Sequence, residues 1–121
     1  MHEHIYTEFI EELYRNPKNK LVLTDANSQT LESSQACGDD INVQISFNEA
    51  GKIESIAWTG TGCVISQAAA SVVSEISKGK TKEEILNMDT NSICELLNTD
   101  ISPARINCAL LGLRAIQQLC Q

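Results

Sequence analysis

The sequence is poor in aromatic residues, which make up 4% of it, so its core has to be built from Ile, Leu, Val and Ala. Positive charge is also scarce. Nine Lys and Arg face sixteen Asp and Glu, a formal net charge of −7. Such a chain repels phosphate backbones and anionic headgroups, which excludes nucleic acid and membrane surfaces as main partners. No apolar run approaches the ~20 residues of a membrane span. The stretch MHEHIYTEFIEELYR carries charges every few residues and no apolar h-region, so no secretory signal is expected. An intracellular, cytoplasmic setting follows, in which thiols stay reduced. No repeat, low-complexity tract or linker is visible, and 121 residues fit one domain, 1–121.

What is present is enough to fold. Hydrophobic residues reach 42%, which excludes a disordered chain. Ile5, Tyr6, Phe9, Ile10 and Leu13 fall on one face of a helix that Pro17 ends. Arg15, Lys18 and Lys20 then make a small basic patch. Residues 24–36 are polar and read as a loop or a weak edge strand. Ile41, Val43, Ile45 and Phe47 alternate with polar residues, the period of a half-buried strand. A turn at Asn48–Gly51 and a return strand over Lys52–Thr59 complete a hairpin, and Gly60 and Gly62 are expected to break that strand.

The period then becomes helical. Ile65, Ala68, Ala69, Val72, Val73 and Ile76 mark a helix over Val64–Lys78, with Gly79 as its C-terminal cap. Thr81 and Glu84 form a capping-box pattern for a short helix. Asp89–Leu97 holds another. Ser102 as N-cap with Pro103 at the first helical position starts the last helix, which runs to about Leu119 with Ile106, Ala109, Leu110, Leu113 and Ile116 buried. Helix, strands, then helices predict an α+β domain: a small antiparallel sheet covered on one side by helices.

Five cysteines are the unusual feature, and an odd count excludes a complete set of internal disulfides. Cys37 lies in a loop before the hairpin, Cys63 at a strand–helix junction, and Cys108 one turn into the last helix. Each is near an element end, where side chains can reach a shared site. A thiolate is both nucleophile and metal ligand, and a helix N-terminus such as that at Cys63 favours it. Asp39, two residues from Cys37, can add a carboxylate. Three sulfurs and one oxygen suit zinc or an iron–sulfur cluster. Spacing alone leaves a second reading open, because no C-x-x-C pair is present and buried cysteine is a common small core residue. Cys94 reads as core. Cys120 is expected to be frayed and without a role. His2 and His4 read as a terminal helical face, and Arg105 as a solvated charge close to Cys108.

The motifs Tyr14-Arg15-Asn16-Pro17-Lys18-Asn19, Ala36-Cys37-Gly38-Asp39, Gly51-Lys52-Ile53, Gly60-Thr61-Gly62-Cys63-Val64-Ile65-Ser66, Gly79-Lys80-Thr81 and Ser102-Pro103-Ala104-Arg105-Ile106-Asn107-Cys108-Ala109-Leu110 run in one order along nearly the whole chain. Together they resemble the U-type iron–sulfur cluster assembly scaffolds: IscU, SufU and the N-terminal domain of NifU. The resemblance implies a three-stranded antiparallel sheet packed against helices, with a metal site at one rim made by Cys37, Asp39, Cys63 and Cys108. It implies that a cysteine desulfurase delivers persulfide sulfur, with Cys108 the first acceptor. It further implies that iron is assembled there into a transient [2Fe-2S] cluster, which passes to acceptor proteins. Zn2+ often occupies the same site in isolated members. Asp39 would tune lability, since a carboxylate holds iron less firmly than a thiolate.

The sequence departs from the IscU pattern in two places. Asn107 stands where IscU-type members carry His, as in SufU-type members, which accept sulfur in relay with their desulfurase. The proline-rich chaperone motif is reduced to Ser102-Pro103-Ala104-Arg105, which argues against a dedicated heat-shock chaperone. Yet the interval from Cys63 to Cys108 is short, as in IscU. Two functions therefore compete: a scaffold without turnover of its own, and a zinc-dependent sulfurtransferase. The basic residues Arg15 and Lys18, with the N-terminal segment, are expected to contact the desulfurase.

Overall fold

A computed structural model describes residues 8–24, the backbone of 28–34, and residues 39–121. In chain order it contains α1 (Glu8–Arg15), β1 (Ser28–Ser34), β2 (Asp39–Phe47), β3 (Ile53–Thr61), α2 (Val64–Ser77), α3 (Lys82–Leu86), α4 (Thr90–Leu97) and α5 (Ile106–Cys120). The α+β class is the one the sequence predicts.

The sheet is antiparallel in the order β1-β2-β3. Alternation along β2 turns Asp39, Ile41, Val43 and Ile45 inward. Across the hairpin Val43 pairs with Trp58 and Ile45 with Ile56, so these side chains share one face. Burying each large aliphatic there contributes about 1.5–3 kcal/mol. The turn closes through Asn48, whose Oδ1 accepts from the N–H groups of Ala50 and Lys52 at 2.9 and 3.0 Å. Contrary to the sequence reading, Gly60 does not break β3. It pairs with Ile41 inside the strand, where a Cβ would collide with the Asp40 carbonyl oxygen.

The outer edge of β3 is covered by the segment after α1. Trp58 donates its backbone N–H to the Asn19 carbonyl and its indole N–H to the Lys18 carbonyl, both at 2.8 Å. Asn19 takes the left-handed conformation, φ 63°, and its amide reaches Ser74 on α2. Pro17 ends α1 as expected, and among the described residues of the predicted stripe Ile10 and Leu13 are buried. Phe9 is exposed, and Ile5 and Tyr6 lie outside the described residues. Arg15 sits 3.8 and 3.6 Å from Glu11 and Glu12, so the basic patch is partly neutralised within its own helix.

Helix α2 is the central element. It is buried from Ile65 to Ser74, against α1, β3, α4 and α5. Its serines are buried yet satisfied: Ser74 donates to the Ser71 carbonyl at 2.8 Å and Ser77 to that of Val73 at 2.6 Å. Helix α5 crosses it closely, because a Cβ on Gly112 would sit 3.0 Å from the Ala70 Cα. Ile76, placed on the buried stripe by periodicity, is only half-buried.

The expected capping box of Thr81 with Glu84 is present on α3, and the structure adds a second, Asp89 with Ser92, on α4. Gln117 of α5 ties that region down by donating to the carbonyls of Ile85 and Met88 at 3.0 and 2.9 Å. The start of α5 is a correction. It begins at Ile106 rather than Pro103, because Arg105 donates back three residues to the Ser102 carbonyl at 2.9 Å and makes a tighter turn first. Cys120 is another: α5 runs through it, and the side chain packs in the core at 3% exposure instead of fraying. Burial pushes the Cys120 thiol above its ordinary range. Cys94, expected in the core, is half-buried at an open polar hollow lined by Asn91, Glu95, Asn98, Thr99 and Asp100. Among the described residues no helix is long and apolar enough to cross a membrane.

Candidate metal centre

Three of the four residues singled out as ligands meet at the end of the hairpin. Asp39 opens β2, Cys63 precedes α2, and Cys108 lies in the first turn of α5. One ligand atom from each lies within 4.8 Å of the others. Asp39 is 3% exposed and Cys108 1%, while Cys63 is half-buried and opens the group to solvent. Cys37, the fourth, lies outside the described residues.

The strand pleat explains the position of Asp39, which follows the same inward alternation as Ile41 and Val43. Its carboxylate is held by Cys63. The Cys63 backbone N–H donates to Oδ1 at 3.2 Å and the thiol to Oδ2 at 3.3 Å. A metal bound here would take the place of that thiol proton between the sulfur and the carboxylate oxygen. Gly62 makes this approach possible. A Cβ there would fall 2.6 Å from both the Asp39 Cγ and the Ser66 Oγ.

The later start of α5 matters to the chemistry. A start at Ser102-Pro103 put Cys108 a full turn inside its helix, whereas it is the third helical residue. Two helix N-termini therefore lie at the group, α2 at Cys63 and α5 at Cys108. Neither has a side-chain cap. Cys108 is disulfide-bonded in this structure, so it becomes a ligand only on reduction.

Asn107 faces away from the group. It is exposed, and its Oδ1 accepts from Arg114 Nη2 at 3.2 Å. Arg105 is likewise exposed. Two sulfurs and one carboxylate fit a thiophilic ion such as iron or zinc better than magnesium or calcium. Sequence reasoning missed Ser66 and Gln67, which brace the Cys63 loop. Ser66 donates to the Cys63 carbonyl and Gln67 to that of Gly62, both at 3.0 Å. Neither residue carries a spacing signal, since each is a polar position inside an apolar helix.

Residues 5–120 match the family described as the NifU-like N terminal domain. The chain is 36% identical over 115 residues to the iron–sulfur cluster assembly scaffold protein IscU of Buchnera aphidicola subsp. Acyrthosiphon pisum, covering 93% of this chain and 89% of that one. It is 33% identical over 116 residues to IscU of Escherichia coli K12, covering 93% and 88%. The fold is similar to the crystal structure of FiSufU, a candidate SUF-system scaffold from thermophilic Fervidobacterium islandicum AW-1, with TM-score 0.82, 26% identity and 97% of each chain covered. It also matches the N-terminal part of a NifU-like protein from Brucella abortus, with TM-score 0.77, 20% identity and coverage of 95% and 91%, a likeness of fold. The chain belongs to the U-type iron–sulfur cluster assembly scaffold family.

Proposed function

We propose that this protein, acting as one domain over residues 1–121, is an IscU-like scaffold on which an iron–sulfur cluster is assembled and from which it is released. The convergence of Asp39, Cys63 and Cys108 at two uncapped helix ends supports this reading most strongly. With Cys37, these residues form the rim site that holds a transient [2Fe-2S] cargo. A cysteine desulfurase supplies the sulfur in the cytoplasm. The reduced Cys108 thiolate attacks the outer sulfur of the enzyme's persulfide and takes it, leaving the enzyme's own thiolate behind. Iron then enters, and apo-proteins receive the finished cluster. Asp39 is the exchangeable ligand: the carboxylate binds iron less firmly than sulfur does and offers the point of release. The N-terminal segment with Arg15 and Lys18 contacts the desulfurase.

Asn107 favours a second reading. With no histidine beside Cys108, the donor set is three thiols and one carboxylate, a closed tetrahedral site for Zn2+. On that reading zinc holds the thiolates and the protein is a sulfurtransferase relay. Anaerobic incubation with iron, cysteine and a desulfurase separates the two. A scaffold develops cluster absorption and passes the cluster to apo-ferredoxin. A relay keeps its zinc, accelerates the desulfurase and forms no cluster. Cys63→Ser and Cys108→Ser are expected to abolish cluster formation, and Asp39→Ala to slow release. Retention of both activities in the cysteine variants would reject the site assignment.

A further inference from the structure

Behind Cys63 runs a chain of hydrogen bonds that the ligand set does not use. Gln67 is 7% exposed, one turn into α2, and both ends of its amide are bound. Its Nε2 donates to the Gly62 carbonyl at 3.0 Å, and its Oε1 accepts from Lys20 Nζ at 2.7 Å. Lys20 in turn lies over the Trp58 ring, 5.3 Å from its centroid, and its backbone bridges to the same residue. The peptide unit that Gln67 grips is the one leading into Cys63. It also contains the glycine whose missing side chain admits Asp39.

We propose that Gln67, held at its far end by Lys20, is a positioning residue for Cys63. The reason is geometric. The Gly60-Thr61-Gly62 approach is glycine-rich, so its own backbone preferences fix it weakly. Helix α2 lacks a side-chain cap that would otherwise fix the residue before it. The loop is instead fixed by the Asp39 contact, by Ser66 and by Gln67. Of these, only Gln67 is anchored outside the site, through a charge-assisted bond to the segment covering β3. A ligand sulfur set this way costs little reorganisation when a metal arrives. The inference builds on the assignment of Cys63 to the metal centre, but the placement of the loop can be read without a metal.

The test uses the full chain, reduced and anaerobic, as wild type, Gln67→Leu, Lys20→Met and Lys20→Arg. Alkylation by iodoacetamide is followed at each cysteine by mass spectrometry on metal-free protein. Gln67→Leu is expected to raise the Cys63 rate about tenfold and Lys20→Met about threefold. Lys20→Arg should restore wild-type behaviour, and the Cys94 rate should not move in any variant. The same proteins are then loaded with Co2+. Gln67→Leu should shift the thiolate-to-cobalt charge-transfer band and release the ion to a chelator about tenfold faster. An unchanged Cys63 rate in both Gln67→Leu and Lys20→Met overturns the proposal, as does an equal rise at Cys94, which would signal general loosening. A changed Cys63 rate in a protein that takes up no Co2+ supports the positioning role and removes the metal centre instead. Lys20→Met alters an exposed side chain, so the result stands if Gln67→Leu fails to fold.

Discussion

The two ends of the helical layer are built on opposite principles. At α3 and α4 each N-terminus is closed by a reciprocal capping box from its own sequence, Thr81 with Glu84 and Asp89 with Ser92. At α2 and α5 the preceding residues are Cys63 and Arg105, and neither caps with its side chain. A helix start leaves several N–H groups without partners inside the helix. The first pair of helices satisfies some of them locally. The second pair turns its ends toward two sulfurs and a carboxylate, and leaves positive dipole ends where anionic ligands must collect. The candidate metal centre thus gives up local stability that α3 and α4 keep.

Gly62→Ala is the strongest way to break that contrast. The new Cβ would meet both Asp39 and Ser66, which must move apart. Overpacking of this kind costs about 1–3 kcal/mol, and here it also separates the carboxylate from Cys63. Loss of both thermal stability and Co2+ uptake is expected. A variant that bound Co2+ as wild type would show that the Asp39–Cys63 approach is not required.

Asp89→Ala and Thr81→Ala sharpen the contrast from the other side. Each removes a cap, for an expected loss of about 1 kcal/mol in denaturant unfolding. Metal uptake should not change, because neither helix end faces the centre. A drop in Co2+ affinity on either substitution would mean that the two ends are coupled, through the grip of Gln117 on Ile85 and Met88.

The cysteines outside the centre give a smaller effect. Cys94 is half-buried at an open hollow, and Cys120 is buried with its pKa raised by desolvation. At a given pH Cys120 therefore holds less thiolate, and alkylation should be at least about tenfold slower there than at Cys94. Comparable rates would show that the end of α5 opens readily.

Where the sequence was legible, the cause was local. Alternation alone defines β2, because its face is set by a period of two. The Thr81–Glu84 capping box is visible because its partners lie three residues apart. Cys37, Asp39, Cys63 and Cys108 stood out through motifs rather than through any periodicity. What stayed hidden depends on distant atoms. The bond from Arg105 to Ser102 delays α5 and moves Cys108 into a helix end, and nothing in Ser-Pro spacing reveals it. Gly60 looked like a strand breaker because its reason, the nearby Asp40 carbonyl, lies on the other strand. The link from Gln67 to Lys20 spans 47 positions and joins two ordinary polar residues.

The far end of α2 offers the mildest test, one governed by pH. Glu75 accepts from the Asn19 amide and from Lys78, both at 3.1 Å, and these bonds hold its carboxyl below the ordinary value of 4.5. A carboxylate with a depressed folded-state pKa stabilises the fold above its unfolded pKa, and that contribution is lost as pH falls through the folded value. The side chain is 47% exposed, so solvent screens the interaction and the effect is reduced to ~0.5 kcal/mol. Glu75→Gln should be less stable than wild type by that amount near pH ~6, and the two should converge below the folded pKa. Because Asn19 belongs to the same covering segment as Lys20, a loss of Co2+ affinity in Glu75→Gln would extend the bracing of Cys63 along α2. Unchanged affinity would confine that bracing to Gln67 and Lys20.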